Sequence, residues 1–238
     1  MSVGTVSGAL AALQAQWWRV GGVAGILFLV LFIVGVSIQG EAPTFDAPVG
    51  EIRDWFTDNG EQFLVGNYLI FLGFVLFYLP FLSSLRGVLA AAEGGPAVWS
   101  RVAFVGGLIF MASAFVVSSF WATLAYSFGV VENGDEGTIK TLLYLDHVGF
   151  ATASLTLIPL MLGASLVTLQ TGVLWRWLPL LALVAIVFVV IFGASTLSSN
   201  SNGPLGGIGF IGLIATALWI LLTSINMILK REAPTSRA

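Results

Sequence analysis

The sequence contains no cysteine, and only 9% of its 238 residues are charged. The absence of cysteine excludes disulfides, thiolate metal sites and redox chemistry through thiols. An average soluble domain carries about 25% charged residues. The low charge, 58% hydrophobic residues and a mean hydropathy of +0.99 are together typical of a protein that lies in lipid.

Histidine is almost absent as well, since His147 is the only one. A single histidine excludes paired histidine ligation of haem, and a zinc site would need carboxylates from separate loops. The glycine patterns of nucleotide-binding loops are missing, and 9 Lys and Arg residues are too few for a nucleic-acid surface. We therefore predict no cofactor, no metal site and no nucleic-acid partner.

The few charges are clustered, which leaves long uncharged runs at 20–40, 62–85, 102–131, 148–175 and 177–229. As a single helix, the last run would extend about 80 Å at roughly 1.5 Å per residue, whereas a hydrocarbon core is about 30 Å thick. The run must therefore fold back. Its polar stretch 198–204, Ser-Ser-Asn-Ser-Asn-Gly-Pro, predicts a turn between two spans.

These runs predict an all-α, polytopic transmembrane helix bundle of six spans in a single domain covering 1–238. Helices are expected because an open sheet would leave unpaired backbone groups in lipid, and the runs lack the alternation of a membrane barrel. The expected spans are 19–39, 63–85, 102–127, 146–169, 177–197 and 205–229.

The distribution of charge predicts how the bundle is oriented. Basic residues near span ends tend to remain cytoplasmic. With the N-terminus inside, only Arg53 and Lys140 of the 9 basic residues lie outside, whereas most acidic residues lie outside. We therefore predict that both termini are cytoplasmic.

The acidic segment between the first two spans has apolar residues at helical spacing, among them Ile52 and Phe56. This pattern predicts a short extracytoplasmic interfacial helix over about 48–58. Pro48 suits its first turn, and Asn59-Gly60 is a helix stop signal.

Prolines and glycines within the spans indicate how the helices pack. Pro80 and Pro159 lie inside spans and predict kinks. The sixth span begins with a series of glycines, which predicts close approach to a neighbouring helix in lipid: Gly203, Gly206, Gly207, Gly209 and Gly212.

No ionisable residue falls in the middle of a span, which weighs against a proton-coupled transporter that depends on a buried carboxylate. Asp146-His147, near the outer end of the fourth span, is the exception at the edge. If there is catalysis, His147 is the candidate general base and Asp146 its orienting partner.

Polar side chains from several spans are expected near the outer surface beside this pair. They either line an outward-facing ligand pocket or simply satisfy one another and the membrane interface. The candidates are Asn67, Tyr68, Ser119, Thr123, Tyr126, Asp146, His147, Ser195 and Thr196.

Three segments carry a resemblance to a group of known proteins: Glu-Ile-Arg-Asp-Trp-Phe at 51–56, Pro-Phe-Leu-Ser-Ser-Leu-Arg at 80–86 and Ala-Leu-Trp-Ile at 217–220. In these segments the chain resembles multi-pass bacterial membrane proteins of unknown function. The resemblance implies a bacterial plasma-membrane location. It transfers no site residue, because that group has no assigned activity.

The sequence favours a non-enzymatic membrane component with an accessory or scaffolding role, because the chain shows no catalytic constellation and only short soluble segments. Its expected partners are membrane lipids and either other membrane proteins or a second copy of itself. The first alternative is a carrier or channel for small molecules or lipids. The second is a membrane-embedded enzyme acting on lipid substrates at the outer leaflet.

Overall fold

The computed structural model describes residues 3–44, 46–130, 135–197 and 204–229. In these ranges all regular structure is helical, and six helical segments are long and apolar enough to cross a membrane. The predicted all-α fold with six candidate spans is confirmed. The helices are α1 (Val3–Gln39), α2 (Val49–Gly73), α3 (Leu79–Glu93), α4 (Val98–Val130), α5 (Glu136–Ser154), α6 (Leu157–Thr171), α7 (Leu178–Ala194) and α8 (Pro204–Leu229).

Two of the six candidate spans are composite. A π-helical turn at Phe74–Tyr78 joins α2 to α3, so that Val49–Glu93 is one helical segment. A short turn separates α5 from α6 within the segment Glu136–Thr171. The remaining candidate spans come from α1, α4, α7 and α8.

The helix that begins at Val49 does not end at Asn59-Gly60, so the predicted stop is wrong. Asn59 instead donates its side-chain amide to the carbonyl of Trp55 at 2.9 Å, a bond made inside the helix. Gly60 lies against α4, where an added Cβ would be 3.2 Å from the Ala125 carbonyl oxygen. Asn59 is therefore stabilised within the helix and Gly60 allows close packing on α4, so neither residue forms a turn.

The bundle has two chemically different ends. We call one the arginine end, because it holds Arg19, Arg86, Arg101 and Arg176. Helices meet there through a hydrogen bond from the Ser84 hydroxyl to the Trp17 carbonyl, at 3.3 Å.

We call the opposite end the acidic end, because it holds the loop 40–48 and the acidic residues that begin α2 and α5. Gln62 donates to the carbonyl of Ile38 at 2.6 Å and joins α2 to the end of α1. Lys140 of α5 donates to the backbone carbonyl of Ala47, which fastens the loop to that helix.

Both prolines inside the spans coincide with helix irregularities, as the sequence predicts. Pro80 follows the π-helical turn Phe74–Tyr78, and Pro159 follows the turn between α5 and α6. Proline lacks an N–H and clashes with the preceding helical turn, so a regular helix is disfavoured at these points. The irregularities are the physical response to that conflict.

The turn before Pro159 keeps its backbone groups bonded. The N–H of Leu155 donates to the carbonyl of Thr152 at 3.1 Å, and the N–H of Thr156 donates to the carbonyl of Ala153 at 3.0 Å. The Thr156 hydroxyl adds a second donor to the Ala153 carbonyl at 2.6 Å. Tighter backbone bonds and a side-chain hydroxyl therefore replace the regular helical ladder, as lipid requires.

Close packing of α8 on α7 depends on glycine. A Cβ added to Gly212 would lie 2.6 Å from the backbone nitrogen of Val189, and one added to Gly209 would lie 2.5 Å from the Cα of Phe192. Such distances leave no room for a side chain. Gly209 and Gly212 therefore make the close helix approach that the sequence predicts, whereas an added Cβ at Gly207 would meet nothing within 4 Å and Gly203 lies outside the described residues.

Gly212→Ala is expected to destabilise the bundle, because the new methyl group must displace the α7 backbone; overpacking of this kind typically costs about 1–3 kcal/mol. Gly207→Ala in the same helix is the matched control, since an added Cβ there meets nothing within 4 Å. Thermal unfolding in detergent should show a lower midpoint for the first variant only. Equal midpoints for the two variants would contradict the packing described for α7 and α8.

Candidate functional site

A cavity of about 320 Å³ lies among α1, α2, α4, α5, α6 and α8, and Gly40 and Ala42 of the loop after α1 also line it. It is far larger than an ordinary packing gap, since few voids in a packed interior exceed the size of one water molecule. Its walls are mainly apolar and rich in rings. The aromatic lining residues are Phe28, Phe32, Phe63, Phe74, Phe110, Trp121 and Phe150.

The cavity extends from the acidic end into the middle of the bundle. Gln39 and Phe28, both on α1, line it from positions that are about 16 Å apart along the helix at roughly 1.5 Å per residue. Trp121 and Phe110 span the same length on α4. This depth is about half of a hydrocarbon core of roughly 30 Å.

The deep end of the cavity lies where the helices are irregular. Phe74, the first residue of the π-helical turn, and Leu157, the first residue of α6, both line it. Thr216 and Ile220 of α8 also belong to this region. The Thr216 hydroxyl donates to the carbonyl of Gly212 at 2.8 Å, so the floor of the cavity exposes little polar surface.

Polar groups gather instead at the acidic end. Gln39, Asn67, Ser118 and Asp146 line the cavity there. The side chain of Trp121 hydrogen-bonds to the Asp146 carboxylate; the indole has only a donor, so Asp146 is the acceptor. The cavity is therefore apolar over most of its depth and carries a carboxylate near its mouth.

An aromatic cluster holds Trp121 in place. Its ring centroid lies 5.8 Å from that of Phe63 in a stacked arrangement and 5.4 Å from that of Phe56. Phe56 is completely buried, together with Ile52 and Leu143 of the same small core. This small core fixes the first turns of α2 against α4 and α5, and so it positions the aromatic side of the cavity mouth.

His147 does not share the cavity with Asp146. Neighbouring residues on a helix point about 100° apart, and His147 is absent from the residues that line the cavity. It lies half-buried and interacts electrostatically with Asp46 in the loop before α2. Of these two neighbouring residues, Asp146 therefore lines the cavity, whereas His147 interacts with the loop.

The structure brings two of the nine candidate residues into the cavity, Asn67 and Asp146. Asn67 is buried, and Asp146 is half-buried. Tyr68 and Tyr126 are each 63% exposed and lie on outward faces of their helices. The tyrosines therefore do not contribute to this site.

The four remaining candidates are not among the lining residues either. The exposed Ser119 and Thr123 donate to carbonyls of their own helix, those of Val116 at 2.6 Å and Ser119 at 2.7 Å. Ser195 is buried and Thr196 half-buried in a short turn that follows α7.

Of the lining residues with a hydrogen-bonding side chain, four escaped the sequence prediction: Gln39, Ser118, Trp121 and Thr216. Ser118 is the clearest case, since the sequence prediction chose its neighbour Ser119. A helix in lipid is apolar on the side that faces the membrane and, here, on the side that faces the cavity as well. Hydrophobic periodicity therefore gives no signal for which serine points inward.

Within the described ranges, no three His, Cys, Asp or Glu side chains come close enough together to hold a metal ion. The chemistry of the site therefore rests on one carboxylate, neutral polar groups and aromatic rings.

No protein-family model, curated protein or solved structure matches the chain. The resemblance to multi-pass bacterial membrane proteins stays an expectation from three short segments.

Enlarging a side chain that faces the cavity should be tolerated, because the added atoms have space to occupy. Ala114 lines the cavity, whereas Ala103, also buried on α4, packs closely against α6 at Gly163. We expect Ala114→Leu to change the unfolding midpoint little and Ala103→Leu to lower it by the equivalent of about 1–3 kcal/mol. If Ala114→Leu is as damaging as Ala103→Leu in thermal unfolding, the cavity is not open space.

Proposed function

We propose that the protein is a membrane-embedded binding protein and carrier for an amphipathic small molecule or lipid. The observation that supports this function is the cavity, which combines an apolar depth of about half a hydrocarbon core with a polar mouth. Small-molecule sites are typically concave, mostly apolar and provided with a few polar groups that fix orientation. An amphiphile has the same arrangement along its length, with a polar head group at one end and an apolar tail at the other.

The accessory or scaffolding role that the sequence favours stays a prediction. The cavity is the specific observation that favours the carrier alternative instead, since a component that only binds other proteins has no need of an internal volume. The enzyme alternative receives no such support, because its general base, His147, lies outside the cavity.

The bundle would be oriented with its arginine end in the cytoplasm and its acidic end outside. Arg19, Arg86, Arg101 and Arg176 at the first end support this orientation through the preference of basic residues for the cytoplasmic side. Together with the resemblance, this orientation supports the proposal of a bacterial plasma-membrane protein with both termini cytoplasmic. The cavity would then open toward the outer leaflet.

Cysteine labelling on intact cells tests the orientation directly, because the chain has no cysteine of its own. Glu41→Cys at the acidic end and Gln170→Cys at the arginine end both replace exposed residues. A membrane-impermeant maleimide should label Glu41→Cys on intact cells, and Gln170→Cys only after the cells are opened. The reverse pattern would overturn the proposed orientation.

Blocking the cavity should abolish binding without unfolding the bundle. Ala114→Phe places a ring in the cavity, and Ala112→Phe adds the same ring to the exposed face of the same helix. After gentle purification, native mass spectrometry should find a bound amphiphile on the wild type and on Ala112→Phe but not on Ala114→Phe.

The same three proteins in liposomes should differ in the rate at which a labelled form of that amphiphile crosses the membrane, with Ala114→Phe reduced to the protein-free rate. Equal occupancy of all three proteins would show that the copurified molecules sit on the outer surface and would overturn the proposed binding site. Equal transfer rates with unequal occupancy would overturn the carrier role while leaving binding in place.

A further inference from the structure

Asp146 is the one charged side chain among the described residues that line the cavity. A carboxylate removed from water is costly unless it is paired. The hydrogen bond from Trp121 is a partial compensation, because the indole donor is neutral. The negative charge itself therefore has no compensating positive charge on the cavity wall.

Basic groups do lie toward the acidic end, but none of them lines the cavity: Arg53, Lys140 and His147. Lys140 donates to the carbonyl of Ala47, and His147 interacts with Asp46. Both basic side chains of α5 thus interact with the loop before α2, and neither of them lines the cavity.

The wall beside Asp146 is aromatic. Trp121 both binds the carboxylate and lines the cavity, with Phe63 stacked on it at a centroid distance of 5.8 Å. Phe150 lies one helical turn beyond Asp146 and also lines the cavity. A cation within about 6 Å of such ring centroids is attracted by their electron-rich faces, most strongly where water is excluded.

We infer that the cavity binds amphiphiles with an organic ammonium head group, whose positive charge pairs with Asp146 while the apolar tail lies along Phe32, Phe74 and Leu157. This inference rests on the proposed binding function and names the class of ligand. A carboxylate beside aromatic rings complements a weakly hydrated cation in both charge and surface. The apolar floor complements a hydrocarbon tail.

Other head groups fit the same cavity less well. An anionic head would meet the Asp146 charge with no lysine, arginine or histidine among the described lining residues to attract it. A neutral head would displace water from the carboxylate without supplying a positive charge. Selectivity should therefore reside in the charge of the head group rather than in the length of the tail.

Three probes with the same tail separate these cases: decyltrimethylammonium, decanol and decyl sulfate. Their binding is measured on the purified full chain in nanodiscs, with Ala114→Phe nanodiscs as the blank for partition into lipid. Asp146→Asn removes the charge, keeps the size and still accepts a hydrogen bond from Trp121. Asp54→Asn removes a charge from an exposed position at the same end and is the matched control.

The wild type and Asp54→Asn should bind decyltrimethylammonium at least tenfold more tightly than decyl sulfate. Asp146→Asn should lose at least tenfold of its affinity for the ammonium probe and keep its affinity for decanol, which also shows that the variant is folded. Unchanged affinity of Asp146→Asn for the ammonium probe would overturn the inference.

The failure of the inference and that of the proposed function give different results. If all three probes bind the wild type equally and above the Ala114→Phe blank, the cavity binds amphiphiles and the assigned head group is wrong. If none of them exceeds that blank, the proposed binding function falls, and the inference falls with it.

Discussion

Lipid offers no hydrogen bonds to a peptide backbone, so every N–H and C=O group in a membrane span must find its partner within the protein. Most of this chain satisfies the requirement with continuous helices. Pro80 and Pro159 each remove a donor, and the chain adapts locally with a π-helical turn and with tighter bonds before Pro159. Side-chain hydroxyls also contribute at the turn before Pro159, where Ser154 and Thr156 each donate to a backbone carbonyl at 2.6 Å.

The cavity is linked to these adaptations. Its deep end includes Phe74 and Leu157, which belong to the two irregular segments, and its opposite end includes Asp146, the charged group of the lining. The helices there are held by a separate small core around Phe56 and by the tie between Lys140 and Ala47. The cavity therefore has an aromatic mouth that carries a single carboxylate, and an apolar interior.

The sequence predicts the helical fold well, because the length of an uncharged run by itself decides whether a helix can cross lipid. It fails where an outcome depends on a neighbouring helix: Asn59-Gly60 is a stop signal on its own, yet Gly60 continues its helix while packing closely on Ala125. The candidate site shows the same limit. Asn67 and Asp146 could be found because polar residues are conspicuous in a span that crosses lipid. The choice between Ser118 and Ser119 depends on how the helix is rotated. The sequence does not show this rotation, because the lipid and the cavity are both apolar and favour the same residues on either side of the helix.

The most direct test of an amphiphile in the cavity is a side-chain-resolution structure of the protein purified gently in native lipid. We expect elongated density that begins beside Asp146 and Trp121, follows the aromatic walls and ends near Leu157. A bundle in which side chains fill this volume, with Asp146 bonded to a basic residue of a neighbouring helix, would contradict it.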